Sequence, residues 1–121
     1  MSNSCLGSAS SLTTNTELMK TNVCHSIRHI CDGVTPSLIF TNGLFPEVNG
    51  IFTVTNSSTN CTTDLTVVDA NGTATYTIAP QSSVAVTAET LTSITYTCTG
   101  PDPTAFCTGS FEANFYYCVD C

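Results

Sequence analysis

Positive charge is almost missing from this chain. Lys20 and Arg28 are the only Lys or Arg among 121 residues, nine carboxylates oppose them, and the formal charge is −7. Nucleic acid and anionic lipid both require a basic patch, and two cations in the first quarter of the chain cannot make one. Charge of either sign is scarce, at 9% of residues, yet no apolar run approaches the length of about eighteen residues that spans a membrane. Also missing are a Gly-rich phosphate loop, a calcium loop of alternating aspartates, and a Cys-x-x-Cys pair repeated at zinc-ribbon spacing. No basic segment followed by an apolar one opens the chain. Either a leader is removed beforehand, or the protein is made in a reducing cytoplasm and oxidises after release.

Solubility therefore rests on Ser, Thr and Asn, as in a surface that packs against copies of itself. Eight cysteines give a disulfide-level density, which points to an oxidised framework. The length suits one domain that buries about two-thirds of its unfolded surface. Three sequons, at Asn56, Asn60 and Asn71, matter only in a eukaryotic secretory pathway, and a chain rich in Asn and Thr contains such matches by chance.

Residues 1–20 form the first distinct segment. They are rich in Ser, Thr and Asn, hold only Leu6, Leu12 and Leu18 as sizeable aliphatic residues, and carry a single cysteine, Cys5. Such a segment cannot bury a face of its own. Extended, it reaches roughly 60 Å, further than the width of its own domain. It is expected to be a connector arm, with residues 21–121 as the folded domain.

The remainder reads as strands. Residues 21–31 alternate loosely, with Val23 and Ile27 on one parity and Cys24, Ser26 and Arg28 on the other. Strands are expected at 37–41, 50–56 and 62–69. Asp69-Ala70-Asn71-Gly72 marks a tight hairpin, because Asn-Gly tolerates the positive φ angles that such turns use. Further strands follow after Gly72, at 83–88, at 91–98 with Ile94, Tyr96 and Cys98 on one side, and at 109–119 with Phe111, Ala113, Phe115 and Tyr117 on one side. Eight short strands with no convincing helix indicate an all-β sandwich, and eight strands after an arm is the count of a jelly roll, whose first strand pairs with its last.

The cysteines divide unevenly, seven in the body and one in the arm. If Cys5 leaves its own domain, one body cysteine must receive a partner or stay a thiol. Cys24 and Cys118 both fall on outward parity. Antiparallel pairing of the first and last strands is expected to bring them together, which makes Cys5, Cys24 and Cys118 the inter-subunit candidates. Cys98 and Cys107 flank the Gly100-Pro101-Asp102-Pro103 loop and can close it; Cys31, Cys61 and Cys121 have no assigned partners. Four disulfides within one chain remain the plain alternative, since the count is even.

Cys24, His25, His29 and Cys31 look like a metal cluster only on a helix; on a strand the two histidines stand roughly 13 Å apart and cannot share an ion. Cys24 and His25 are adjacent on a strand and point to opposite faces, so no nucleophile and base are formed, and the carboxylates fall mostly in solvated turns. Neither an enzyme nor a cofactor is expected.

The arm with its cysteine, the Thr-rich eight-stranded pattern with Asn-Gly turns, and the closing Gly109-Ser110-Phe111 strand ending at Tyr116-Tyr117-Cys118 resemble the endospore appendage subunits of spore-forming bacteria. The resemblance implies a jelly roll that polymerises into a pilus-like extracellular fibre on the spore. Its sheets augment those of neighbours, and its N-terminal connector is disulfide-bonded to another subunit. It also implies synthesis without a secretion signal. The partner is then the chain itself, with anchor or tip proteins at the fibre ends, no nucleic acid and no membrane span. Family members carry closely placed connector cysteines, whereas Cys5 stands alone here. Glu112 occupies the place of a receiving cysteine, so either Cys118 substitutes for it or the cross-linking scheme differs. A monomeric disulfide-rich module that binds a glycan or a receptor is the alternative from another class.

Overall fold

The structure, a computed structural model, describes the backbone of residues 17–41 and 47–119 and the side chains of residues 21–41 and 47–116. Eight strands and no helix occur among them: β1 (Glu17–Ile30), β2 (Ser37–Thr41), β3 (Val48–Asn56), β4 (Thr62–Asp69), β5 (Gly72–Ile78), β6 (Ser82–Ala88), β7 (Ser93–Thr99) and β8 (Phe106–Val119). They form two four-stranded sheets in the orders β1-β8-β3-β6 and β2-β7-β4-β5. Only β4 and β5 are successive strands paired within one sheet; every other connection crosses to the opposite layer. First and last strands are neighbours, in an antiparallel ladder from Glu17 opposite Val119 to Ile30 opposite Phe106. This is the jelly-roll arrangement expected from the strand count.

Period-2 patterning decides which side chains enter the space between the layers. Phe52 and Val54 of β3, Leu65 and Val67 of β4, Ile94 and Tyr96 of β7, and Phe111, Ala113 and Phe115 of β8 are all buried there. The aromatic rings pack at tilted angles, Phe52 on Phe111 at 5.6 Å and Phe40 on Phe115 at 5.4 Å between centroids. Outward positions of β4, β5 and β7 are mostly threonine: Thr66 lies between Thr75 and Thr95, and Asp64 between Thr77 and Thr97. A β-branched hydroxyl suits the pleat and stays solvated, which explains strands built with so little charge.

Several limits differ from the sequence reading, β3 starting at Val48 and β7 at Ser93 among them, and three differences are informative. The β1–β8 ladder begins at Glu17, so pairing runs through the expected boundary between residues 20 and 21, and residues 1–16 lie outside the described residues. β8 starts at Phe106 rather than Gly109, because β1 continues beside it to Ile30. At the β4–β5 hairpin the two turn residues are Ala70 and Asn71, and the positive φ falls on Gly72 alone, at 110°. The glycine closes the turn, and Asn71 does not need the left-handed region.

One polar group holds the core shut where β3, β4 and β5 converge. Asn56 is 1% exposed, and its Nδ2 donates to the carbonyl oxygens of Cys61 (2.7 Å), Ile78 (3.0 Å) and Ala79 (3.2 Å). Its Oδ1 accepts from the Ser58 N–H at 3.1 Å and from the Ser58 hydroxyl. A buried amide satisfied on both sides specifies how these segments meet. It also withdraws the first sequon from any modifying enzyme.

Candidate functional site: edges and cysteines

With the orders given, β1 and β6 edge one sheet and β2 and β5 edge the other. Edge strands usually carry charge, proline or a bulge that discourages a further strand from adding. β5 (GTATYTI) and β6 (SSVAVTA) have none of these, and β2 (SLIFT) has only a register shift between Leu38 and Phe40. On the β2 side Leu38 is 57% exposed and Val34, in the preceding corner, 75% exposed. Two of the four edges, β5 and β6, therefore offer main-chain donors and acceptors with nothing to repel a neighbour, and β2 opposes one only with its register shift.

The cysteines sort by position. Cys31, just after β1, is bonded to Cys61, just before β4, and Cys98 of β7 is bonded to Cys107 of β8. Both bridges join one sheet to the other at the same end of the sandwich, and all four residues are 0–2% exposed. Parity and topology could have found the Cys31–Cys61 bond, since a jelly roll returns the start of β4 to the end at which β1 finishes; the sequence reading left both unassigned. Cys24 lies on the outward parity of β1, is half-buried, and is disulfide-bonded to a residue outside the described side chains.

The register corrects one step of the sequence argument. β1 and β8 are antiparallel neighbours, but Cys24 lies opposite Glu112 and Cys118 opposite Leu18. Six positions separate the two cysteines along the ladder, about 20 Å. They are not one docking point. Cys5 and Cys121 lie outside the described residues.

The histidines serve packing. His25 meets Phe111 edge-on at 5.4 Å, His29 meets Tyr96 at 5.4 Å, and His29 Nε2 lies 2.7 Å from the Thr35 carbonyl. Among the described residues no group of three or more His, Cys, Asp or Glu is placed to hold a metal ion. Arg28, exposed on the outer face, lies 4.1 Å over the Phe106 ring, a cation–π contact. Tyr116 is outward and 42% exposed, as its parity required.

Asp32 organises the corner after β1. It accepts from the Thr35 hydroxyl (2.5 Å) and from the N–H groups of Thr35 and Val34 (3.0 Å each), and these bonds hold its carboxyl down at about 2. Thr104, by its hydroxyl and its N–H, lowers Asp102 in the same way across the sandwich end. A shallow hollow of about 280 Å³ lies between residues 57–61 and Ala105, Phe106 and Thr108. Its lining holds hydroxyls, an amide and one bonded cysteine, Cys61, but no base and no carboxylate, so it assembles no proton-transfer pair.

The endospore appendages family matches residues 5–119 of the chain. Among solved structures, one described as "Bacillus endospore appendages form a novel family of disulfide-linked pili" aligns over 93% of this chain and 97% of that one, with a TM-score of 0.68 and 14% identity. That likeness is one of fold. A cupin domain from Bordetella pertussis aligns over 93% of this chain and 91% of its own at a TM-score of 0.28 and 9% identity. No curated protein matches the chain in sequence.

Proposed function

The chain belongs to the endospore appendage family, and from that premise we propose that it is a structural subunit of an extracellular, pilus-like fibre on the spore surface. Its work is assembly rather than catalysis. Copies join laterally when an edge on the β1/β2 side of one subunit pairs with an edge on the β5/β6 side of the next. The two edges differ, so the contact is head-to-tail and generates a filament instead of a closed dimer. Residues 1–16 act as the connector, and Cys5 links one copy to another.

The observation that carries this reading is the sorting of the cysteines. Four are consumed in two bridges sealed inside the sandwich. The other four are Cys5 in the arm, Cys118 and Cys121 near the C-terminus, and Cys24 on the outer face of β1, which is itself disulfide-bonded. The arm carries Cys5 far enough from the domain in sequence to link one copy to another. The uncharged β2, β5 and β6 edges supply the lateral half of the scheme, and Leu38 supplies apolar surface that a neighbour would cover.

Negative-stain images of purified protein should show filaments, and non-reducing gels should show a ladder that collapses with thiol. Lysine at Leu38, and at either Ala85 or Thr75, should shorten the filaments, and the more damaging of the last two identifies the pairing edge. Monomer in both gel lanes together with a featureless grid would instead indicate the monomeric binding module.

A further inference from the structure

We propose that Asn71 is a site of spontaneous deamidation, at which the folded protein acquires an extra carboxylate with age while its other described Asn-Gly pair, Asn49-Gly50, stays intact. The reaction belongs to the β4–β5 turn and does not depend on the fibre reading.

Asn-Gly is the dipeptide most open to this chemistry, because no Cβ on the second residue hinders approach of its nitrogen to the asparagine side chain. The fold then separates two pairs that the sequence leaves equivalent. Asn71 and Gly72 are both exposed, and nothing lies within 4 Å of the position where a Gly72 Cβ would stand. The main chain of Asn71 is tethered only by its N–H, which donates to Asp69 Oδ1 at 3.0 Å; its side-chain amide makes no hydrogen bond among the described residues. Asn49 differs at every point. Its Oδ1 accepts the Thr90 N–H at 2.9 Å, and Gly50 is buried in β3 between Ala88 and Phe115. A Cβ on Gly50 would overlap the Asn114 carbonyl oxygen. The rotation that brings the glycine nitrogen onto the side-chain carbon has room at residue 71 and none at residue 49.

The step balances with water as the sole co-reactant. The Gly72 nitrogen loses its proton to solvent base and forms a bond to Asn71 Cγ, and the side-chain nitrogen leaves as ammonia, which closes a five-membered imide. Water opens the imide at either carbonyl. One opening gives aspartate; the other gives isoaspartate, whose main chain runs through Cγ and is longer by one carbon in the turn immediately before an edge strand. Each event adds one negative charge beside two carboxylates already at this end, since Asp69 Oδ2 accepts the Glu89 N–H at 3.2 Å and Ala70 N–H donates to the Glu89 carbonyl.

The test ages the native full chain in warm, mildly alkaline buffer and maps it with pepsin at acid pH, since no Lys or Arg follows Arg28 for trypsin to cut. The peptide with Asn71 should gain about 1 Da and split into two isomeric forms, and an isoaspartyl methyltransferase should label it. Its rate should exceed that of the Asn49 peptide by about tenfold or more, a gap of about 1.4 kcal/mol in barrier. The same ageing in denaturant should remove the gap, and Asn71→Gln should abolish the label. Asn49 keeping pace in the native protein, or Asn71 unchanged in the native protein while it reacts in denaturant, overturns the proposal.

Discussion

Cys24 and Glu112 face one another across the β1–β8 ladder. The family resemblance places a receiving cysteine near Glu112, on the last strand; in this chain the cysteine at that height belongs to the first strand instead, and it is disulfide-bonded. Adjacent strands lie about 4.8 Å apart, so such an exchange moves the sulfur by little.

The first prediction concerns the arm. Cys5→Ser should abolish the thiol-sensitive ladder on a non-reducing gel, while lateral association and the fold persist. Mass-spectrometric mapping of unreduced material that finds Cys5 bonded only within its own polypeptide would sink the scheme.

The two buried bridges should differ in their contribution to stability. Cys31–Cys61 spans 30 residues and Cys98–Cys107 spans 9, which in the chain-entropy account corresponds to about 3.5 and about 2.5 kcal/mol. Urea unfolding of the Cys31→Ala/Cys61→Ala variant should therefore show the larger loss. Neither bridge should react with reductant until the sandwich opens, because all four sulfurs lie inside it.

Asn56 is a test of polar specificity in the core. Asn56→Asp keeps the shape but cannot donate, and it leaves the carbonyls of Cys61, Ile78 and Ala79 without their partner. The expected cost is about 3 kcal/mol or more, since buried acceptors lose their bonds and a carboxylate is desolvated. Thermal unfolding of this variant and of Asn56→Ala measures it; an unchanged midpoint in both would refute the role.

The corner after β1 should loosen in acid. Asp32 titrates at about 2 in the fold against an ordinary 3.8, so its hydrogen bonds contribute stability above pH 3.8 that is lost as pH falls toward 2. Thr35→Ala removes the largest cause and should move the Asp32 titration upward in an NMR pH series. Asp32→Asn should differ from the parent protein at neutral pH and converge with it near pH 2. Because the carboxyl is solvent-exposed, the effect on global stability is small and the local titration is the informative readout.

Strand content, strand faces and the all-β class were determined by the sequence itself, through local period-2 patterning. Phe111, Ala113 and Phe115 alternate with Glu112 and Asn114 whatever the rest of the chain does, and the interval 62–69 needed nothing beyond its own residues. The limits of β1 and β8 were not local. Each is extended by the other along a 14-residue ladder, so neither end could be read before the partner was known. Register and layer were settled only by the tertiary structure. Antiparallel pairing of the first and last strands was expected, but a shift along the ladder changes no residue's face when it is even, and the pattern therefore could not say that Cys24 meets Glu112 instead of Cys118. The same holds for Cys31 with Cys61 and for the contrast between Asn71 and Asn49: bridges and reactivity depend on which strand ends share one end of the sandwich and which glycine is covered, and packing between distant segments decides both.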